Sequence, residues 1–186
     1  MKKLKTRALK KRLYDILSAN NWESFFDEIN SYSPRQVINP LISFFCNNDM
    51  IIKQRAIITI GKVVQVLADE NMESARIVMR RLMWSLNDES GGIGWGAPEA
   101  MAEIMSLNAQ LAEEYASILI SYANPDGNYL EHMELQKEVL KGLARLGNVR
   151  PSLIKVAIPY LEKNNLSDNS DIIKLRKEIL KILATR

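Results

Sequence analysis

Apolar residues recur along this chain in clusters that share one internal spacing. Within a cluster they fall at relative positions 0, 4, 5, 7 and 8, which puts them on one wide face of a helix. Four segments carry the pattern: Ile52-Lys53-x-x-Ala56-Ile57-x-Thr59-Ile60-Gly61-x-Val63, Ile93-Gly94-x-x-Ala97-Pro98-x-Ala100-Met101-Ala102-x-Ile104, Leu135-Gln136-x-x-Val139-Leu140-x-Gly142-Leu143-Ala144-x-Leu146 and Leu175-Arg176-x-x-Ile179-Leu180-x-Ile182-Leu183-Ala184. A fainter copy precedes them, Leu9-Lys10-x-x-Leu13-Tyr14-x-Ile16-Leu17-Ser18. The small residue that closes each copy falls at 18, 61, 102, 144 and 184, so the spacings are 43, 41, 42 and 40. A near-constant period of this length marks a structural unit that covers its apolar face by stacking on its neighbours. The spacing predicts helices near 8–19, 50–68, 97–107, 130–147 and 170–185. The closing Gly61, Ala102, Ala144 and Ala184 are expected to let a neighbouring helix approach closely.

Each copy needs a preceding partner helix. Pro34 to Asn47, Met72 to Asn87, Ala109 to Ala123 and Pro151 to Asn164 are the candidates, and Trp22 to Ile29 reads as an extra turn or two after the first helix. Two partners carry proline at one phase, Val37-x-x-Pro40 and Val156-x-x-Pro159; interior proline removes a backbone hydrogen bond and bends a helix. Asn47-Asn48-Asp49, Asn87-Asp88-Glu89-Ser90, Asn124-Pro125-Asp126-Gly127-Asn128 and Leu166-Ser167-Asp168-Asn169-Ser170 are turn and capping clusters. Pro34 and Pro151 suit first helical turns. No alternating strand pattern of useful length competes with these helices.

These residues resemble HEAT repeats: a paired-helix unit of about 40 residues, proline in the first helix, and an Ala-x-x-Leu-Gly/Ala ending in the second. The short form is similar to the HEAT-like repeats named after phycobilisome lyases. Leu82-Met83-Trp84-Ser85-Leu86-Asn87-Asp88-Glu89-Ser90-Gly91-Gly92-Ile93-Gly94-Trp95-Gly96-Ala97-Pro98-Glu99-Ala100 resembles the signature of a bacterial and archaeal group of HEAT-like proteins. The resemblance implies an all-α chain, a short α-α superhelix (a HEAT-like solenoid) of about five helical repeats, forming a single domain over 1–186. It also implies a binding scaffold that presents an extended surface. The lyase members imply chromophore attachment, but nothing in this sequence points to a bilin site, and that function is not carried over.

Composition changes this picture little. Apolar residues make up 47% of the chain and charged residues 25%, as in folded globular proteins. No run of apolar residues is long enough to span a membrane, and no apolar stretch follows the basic start, so neither a membrane segment nor a secretory leader is expected. The expected location is the cytoplasm. The net charge of +3 hides an asymmetry. Lys2, Lys3, Lys5, Arg7, Lys10, Lys11 and Arg12 all precede the first acid, Asp15, which leaves −4 for the rest. Such a run serves either as the solvated face of a terminal helix or as a contact for an anionic partner.

Candidate chemistry is sparse. The single cysteine, Cys46, lies in the apolar run Phe44-Phe45-Cys46 and is expected to be a buried thiol. The single histidine, His132, sits at a helix start, where a surface or capping role is expected. Catalysis therefore lacks its usual constellation, and neither a cofactor nor a metal site is read. Half of the eight glycines, Gly91, Gly92, Gly94 and Gly96, fall in one stretch beside Trp84, Trp95, Asp88, Glu89 and Glu99. This stretch is not a P-loop and lacks the GxGxxG spacing. It reads either as an elaborate interhelix loop, with Trp84 packed in the core, or as a ligand or partner site.

The leading expectation is a non-catalytic scaffold for a protein partner. Its contacts would be Lys53, Gln136 and Arg176, which share one phase of the repeat, together with Trp84, Asp88, Glu89, Trp95 and Glu99. The alternatives are nucleic-acid binding through the basic N-terminal helix and a ligand-binding subunit of an enzyme using residues 84–99. The ending Leu180-x-Ile182-Leu183 leaves an apolar edge that also admits a dimer.

Overall fold

A computed structural model describes residues 4–87, 93–162 and 168–185. The described chain is all-helical. It divides into two compact units, Met1–Gly96 and Ala97–Arg186. Among the described residues, no helix is long and apolar enough to cross a membrane.

The first unit contains α1 (Thr6–Ser18), a 3-10 turn (Trp22–Phe25), α2 (Phe26–Asn30), α3 (Pro34–Ile42), α4 (Met50–Glu70) and α5 (Met72–Trp84). α1 packs on α3 and α4, α4 receives α3, and α5 packs on α4. The core follows the sequence pattern: Leu9, Leu13, Ile16 and Leu17 of α1 and Ile52, Ala56, Ile60 and Val64 of α4 are all buried. Each such aliphatic side chain contributes about 1.5–3 kcal/mol by leaving water. Inside α4, the buried Thr59 hydroxyl donates to the Arg55 carbonyl at 2.7 Å and so carries no unmet polar cost.

The second unit contains α6 (Ala97–Leu107), α7 (Ala109–Ser121), α8 (Met133–Val149), α9 (Pro151–Ile154), a 3-10 turn (Lys155–Ala157), α10 (Ile158–Leu161) and α11 (Ser170–Ala184). α8 lies between α6 and α11, with α7 and α9 completing the packing. The close approach expected of small residues occurs here. A Cβ on Gly142 of α8 would stand 3.1 Å from both the Ala102 Cβ and the Pro98 carbonyl oxygen of α6. The closing residues at the chain's extremes, Ser18 and Ala184, are exposed instead.

Side-chain caps mark the starts of α4, α5, α7, α8 and α11. Asp49 accepts from the Ile51 amide at 2.8 Å, Asn71 from Ser74 at 2.9 Å, Asn108 from Leu111 at 2.9 Å and Asn169 from Asp171 at 3.0 Å, each satisfying an orphan donor of a first turn. His132 does the same through Nδ1, 3.3 Å from the Glu134 amide. The partner helices depart from expectation at their prolines. α3 ends at Ile42, two residues beyond Pro40 rather than at Asn47. The expected helix from Pro151 is split into α9, a 3-10 turn and α10, which fits the clash of Pro159 with the preceding turn.

Two burial expectations are overturned. Cys46 is exposed, because α3 has already ended and the tight turn that follows sends Phe44 and Phe45 inward instead. Trp84 is 60% exposed. The buried stripe of α5 is Ala75, Val78, Met79 and Leu82, and its next in-phase position is filled by Leu86. At about 100° per residue, Trp84 lies on the side of α5 opposite Ala75.

Candidate functional site

The outer face of α5 carries two of the exposed large apolar side chains of the first unit, where Met50 and Ile51 of α4 are exposed to a similar degree. Ile77 is 55% and Trp84 60% exposed, and the helical angle groups both with Glu73, Arg80 and Arg81. Arg80 donates to Glu73 at 2.6 Å, and Arg76 lies 3.5 Å from the same carboxylate. These guanidinium groups hold the Glu73 carboxyl below its ordinary range. Arg81 donates to the Asn39 side chain, and Arg35 to the Ser74 hydroxyl at 2.8 Å, so the arginines are fixed between α3 and α5. The result is a tryptophan and an isoleucine held in water among positive charges.

Two glycines of the glycine-rich stretch, Gly94 and Gly96, are among the described residues. Gly94 and Gly96 have φ of +68° and +73°, a region that L side chains rarely adopt. A Cβ on Gly94 would fall 2.5 Å from the Ser85 carbonyl oxygen, and one on Gly96 2.9 Å from Phe45. Both glycines therefore supply positive φ and close approach at once, and they hold the half-buried Trp95 between them. Asp88 and Glu89 lie outside the described residues. Glu99 stands in the first turn of α6 with its carboxylate 3.8 Å from the Lys141 ammonium.

The three residues that share a repeat phase do not form one exposed face. Lys53 is half-buried, while Gln136 and Arg176 are 2% and 6% exposed. The Gln136 amide donates to the Tyr122 carbonyl at 2.6 Å and to the Leu130 carbonyl at 2.7 Å, pinning the loop between α7 and α8. Burial lowers the pKa of Arg176 from its ordinary value.

Several N-terminal cations are engaged within the fold; Lys2 and Lys3 lie outside the described residues. Arg12 makes a two-pronged ion pair with Glu28, 2.7 and 2.5 Å, which raises its pKa, and it lies over the Phe25 ring. Lys10 sits 5.4 Å from the centre of the Phe44 ring. Lys5, Arg7 and Lys11 are exposed.

Sequence reading missed a layer of cations over aromatic rings at this end of the unit. Arg55 donates to the Leu17 and Ala19 carbonyls at 2.7 and 2.8 Å and lies over Trp22. Lys62 stands 3.6 Å from the Phe26 ring centre. These contacts close the C-terminus of α1 and explain the turn at Trp22–Phe25. No spacing signal announces them, because the partners are far apart in sequence. Among the described residues, no group of three or more His, Cys, Asp and Glu side chains comes together that could hold a metal ion. In comparisons with known protein families, curated proteins and solved structures, nothing matches the chain.

Proposed function

We propose that this chain is a HEAT-like helical-repeat protein that acts as a non-catalytic scaffold in the cytoplasm, holding a protein partner against the outer face of α5. One observation carries the reading: Ile77 and Trp84 remain more than half exposed on a face framed by Arg80 and Arg81. Tryptophan and arginine are the side chains that dominate interface energies, and a large apolar surface left in water is stabilised when a partner covers it. The arginines favour a partner whose apolar anchor is flanked by acids. The recurring helical pattern supports the repeat reading, since stacked units offer extended faces of this kind. The location rests on the lone exposed thiol, which a reducing compartment keeps free.

The test is a quantitative pull-down from native cells with the intact chain and with Ile77→Asp and Trp84→Ala. Both sites are exposed, so the variants should fold normally. The intact chain should recover a partner at stoichiometry, and Trp84→Ala should cost about 2 kcal/mol, roughly thirtyfold in affinity. Recovery of no stoichiometric partner, or equal recovery by all three baits, would overturn the proposal.

A further inference from the structure

We propose that the outer side of α1 and the first turn of α4 form a docking surface for an anionic phospholipid bilayer, with cations against the headgroups and Met50 and Ile51 entering the interface. The apolar part belongs to α4. Met50 and Ile51 are more than half exposed, although the next residue, Ile52, is buried. Arg55 follows Ile51 by one helical turn on the same side of α4. Its bonds to the Leu17 and Ala19 carbonyls set that side against the C-terminal end of α1.

The charged part belongs to α1. At about 100° per residue, Arg7, Lys11 and Tyr14 lie on the side away from the buried Leu9, Leu13 and Ile16, and Lys10 lies on its flank. Lys10 and Tyr14 both approach the Phe44 ring, with Lys10 5.4 Å from its centre and the Tyr14 ring centre 6.1 Å from it. Phe44 stands in the tight turn before α4, where its carbonyl accepts from the Asn47 amide at 3.0 Å. One ring therefore joins the cationic side of α1 to the turn that presents Met50 and Ile51. Lys5, Arg7 and Lys11 are exposed and make no ion pair among the described residues. The nearby exposed acids are Asp15 and Asp49, so the four cations leave the surface positive.

A bilayer uses both parts. Each basic side chain beside an anionic surface raises partition about fivefold, and long stems let lysine and arginine charges reach the headgroups. Aliphatic surface entering the headgroup boundary adds to that attraction. A single-stranded nucleic acid would use the cations, but its bases stack on aromatic rings. The two side chains that stand furthest into water here are aliphatic, and covering them removes apolar area from water. Such a contact lies along the membrane and requires no spanning helix. It uses α1 and α4 rather than the α5 face, and neither proposal depends on the other.

The experiment measures co-sedimentation of the full chain with two kinds of vesicle, phosphatidylcholine alone and phosphatidylcholine with phosphatidylglycerol in equal parts. Cys46, the single cysteine, is exposed in the turn before α4, so an environment-sensitive fluorophore attached there reports entry into the interface. The mixed vesicles should bind the chain at physiological salt and shift the emission to the blue. Vesicles of phosphatidylcholine alone should bind it about twentyfold more weakly or worse. The pair Arg7→Glu and Lys11→Glu should lose about twentyfold or more on mixed vesicles. The pair Met50→Ser and Ile51→Ser, which leaves the charge unchanged, should lose about tenfold and the blue shift with it. All four sites are exposed, and an unchanged unfolding midpoint separates loss of the surface from loss of the fold. No binding to mixed vesicles, equal binding to both kinds, or parent-like binding by either pair would sink the proposal. So would tighter binding of a single-stranded oligonucleotide than of mixed vesicles, undiminished in the serine pair, which would assign the cations to nucleic acid.

Discussion

Gly142 and Gly147 lie on the same helix, yet alanine at each should move stability in opposite directions. At Gly147 a Cβ meets Ile182 and Leu183 side chains at an ordinary 3.7 Å, so Gly147→Ala should stabilise by about 0.5–1 kcal/mol through lower unfolded-chain entropy. At Gly142 the new Cβ presses on the Ala102 Cβ and the Pro98 carbonyl, both at 3.1 Å. Neither is the end of a flexible side chain, so α6 itself must shift. Overpacking of this kind costs about 1–3 kcal/mol and outweighs the helical gain. Urea unfolding of the two variants should show midpoints on either side of the parent; a stabilised Gly142→Ala would mean that the two helices are not set by this contact. Much at this scale was already encoded in helical phase. With about 100° per residue, repeat positions 0, 4, 5, 7 and 8 span an arc that includes position 1. Lys53, Gln136 and Arg176 occupy position 1, so burial of the latter two follows from the same geometry that fills the core. Trp84 was expected in the core and is 60% exposed, because the same helical phase puts it opposite its helix's buried stripe. The Gln136 bonds to two distant carbonyls were not legible, because no periodicity encodes which carbonyls a loop brings near.

At the scale of elements, local chemistry fixes starts better than ends. Asp49 and Asn169 stand in polar clusters and Asn108 between Leu107 and Ala109, and each caps the helix that follows, because a short side-chain oxygen satisfies an orphan amide using only neighbouring residues. Ends depend on where proline leaves the chain. Pro40 remains inside α3, which stops soon afterward, whereas Pro159 follows a 3-10 turn that interrupts its helix. The two share a phase in the sequence and differ in outcome. Restoring the missing amide and removing the ring in Pro159→Ala should join Pro151 to Leu161 into one helix. Backbone chemical shifts of Lys155, Val156 and Ala157 would then move to α-helical values, with amide protection rising over the same residues. Unchanged shifts would place the cause of the break in packing rather than in proline. The third copy of the repeat shows the same limit. Its first residue, Ile93, is 48% exposed while the equivalent Ile52 and Leu135 are buried, since left-handed glycines at 94 and 96 delay the start of α6 to Ala97.

At the scale of the molecule, the repeat period runs through that same point, while the compact units divide between Gly96 and Ala97. A period that continues across a boundary has an energetic consequence if each segment is stabilised mainly by its own core and its nearest neighbours. Leu13 and Leu143 are each fully buried, one in each unit. Truncating either to alanine should cost about 2–5 kcal/mol, the lost transfer energy plus the cavity. In native-state hydrogen exchange, Leu143→Ala should deprotect amides of α6, α7, α8 and α11 while α1, α3 and α4 keep their parent rates. Leu13→Ala should do the reverse. Such locality requires that the interior of each unit be closed by its own helices, as the packing of α1 on α3 and α4 and of α8 on α6 and α11 implies. If both variants instead lowered protection evenly from Leu9 to Leu183, the chain would open as one cooperative block. Neighbour-by-neighbour stabilisation, the physical content of the repeat reading, would then fail.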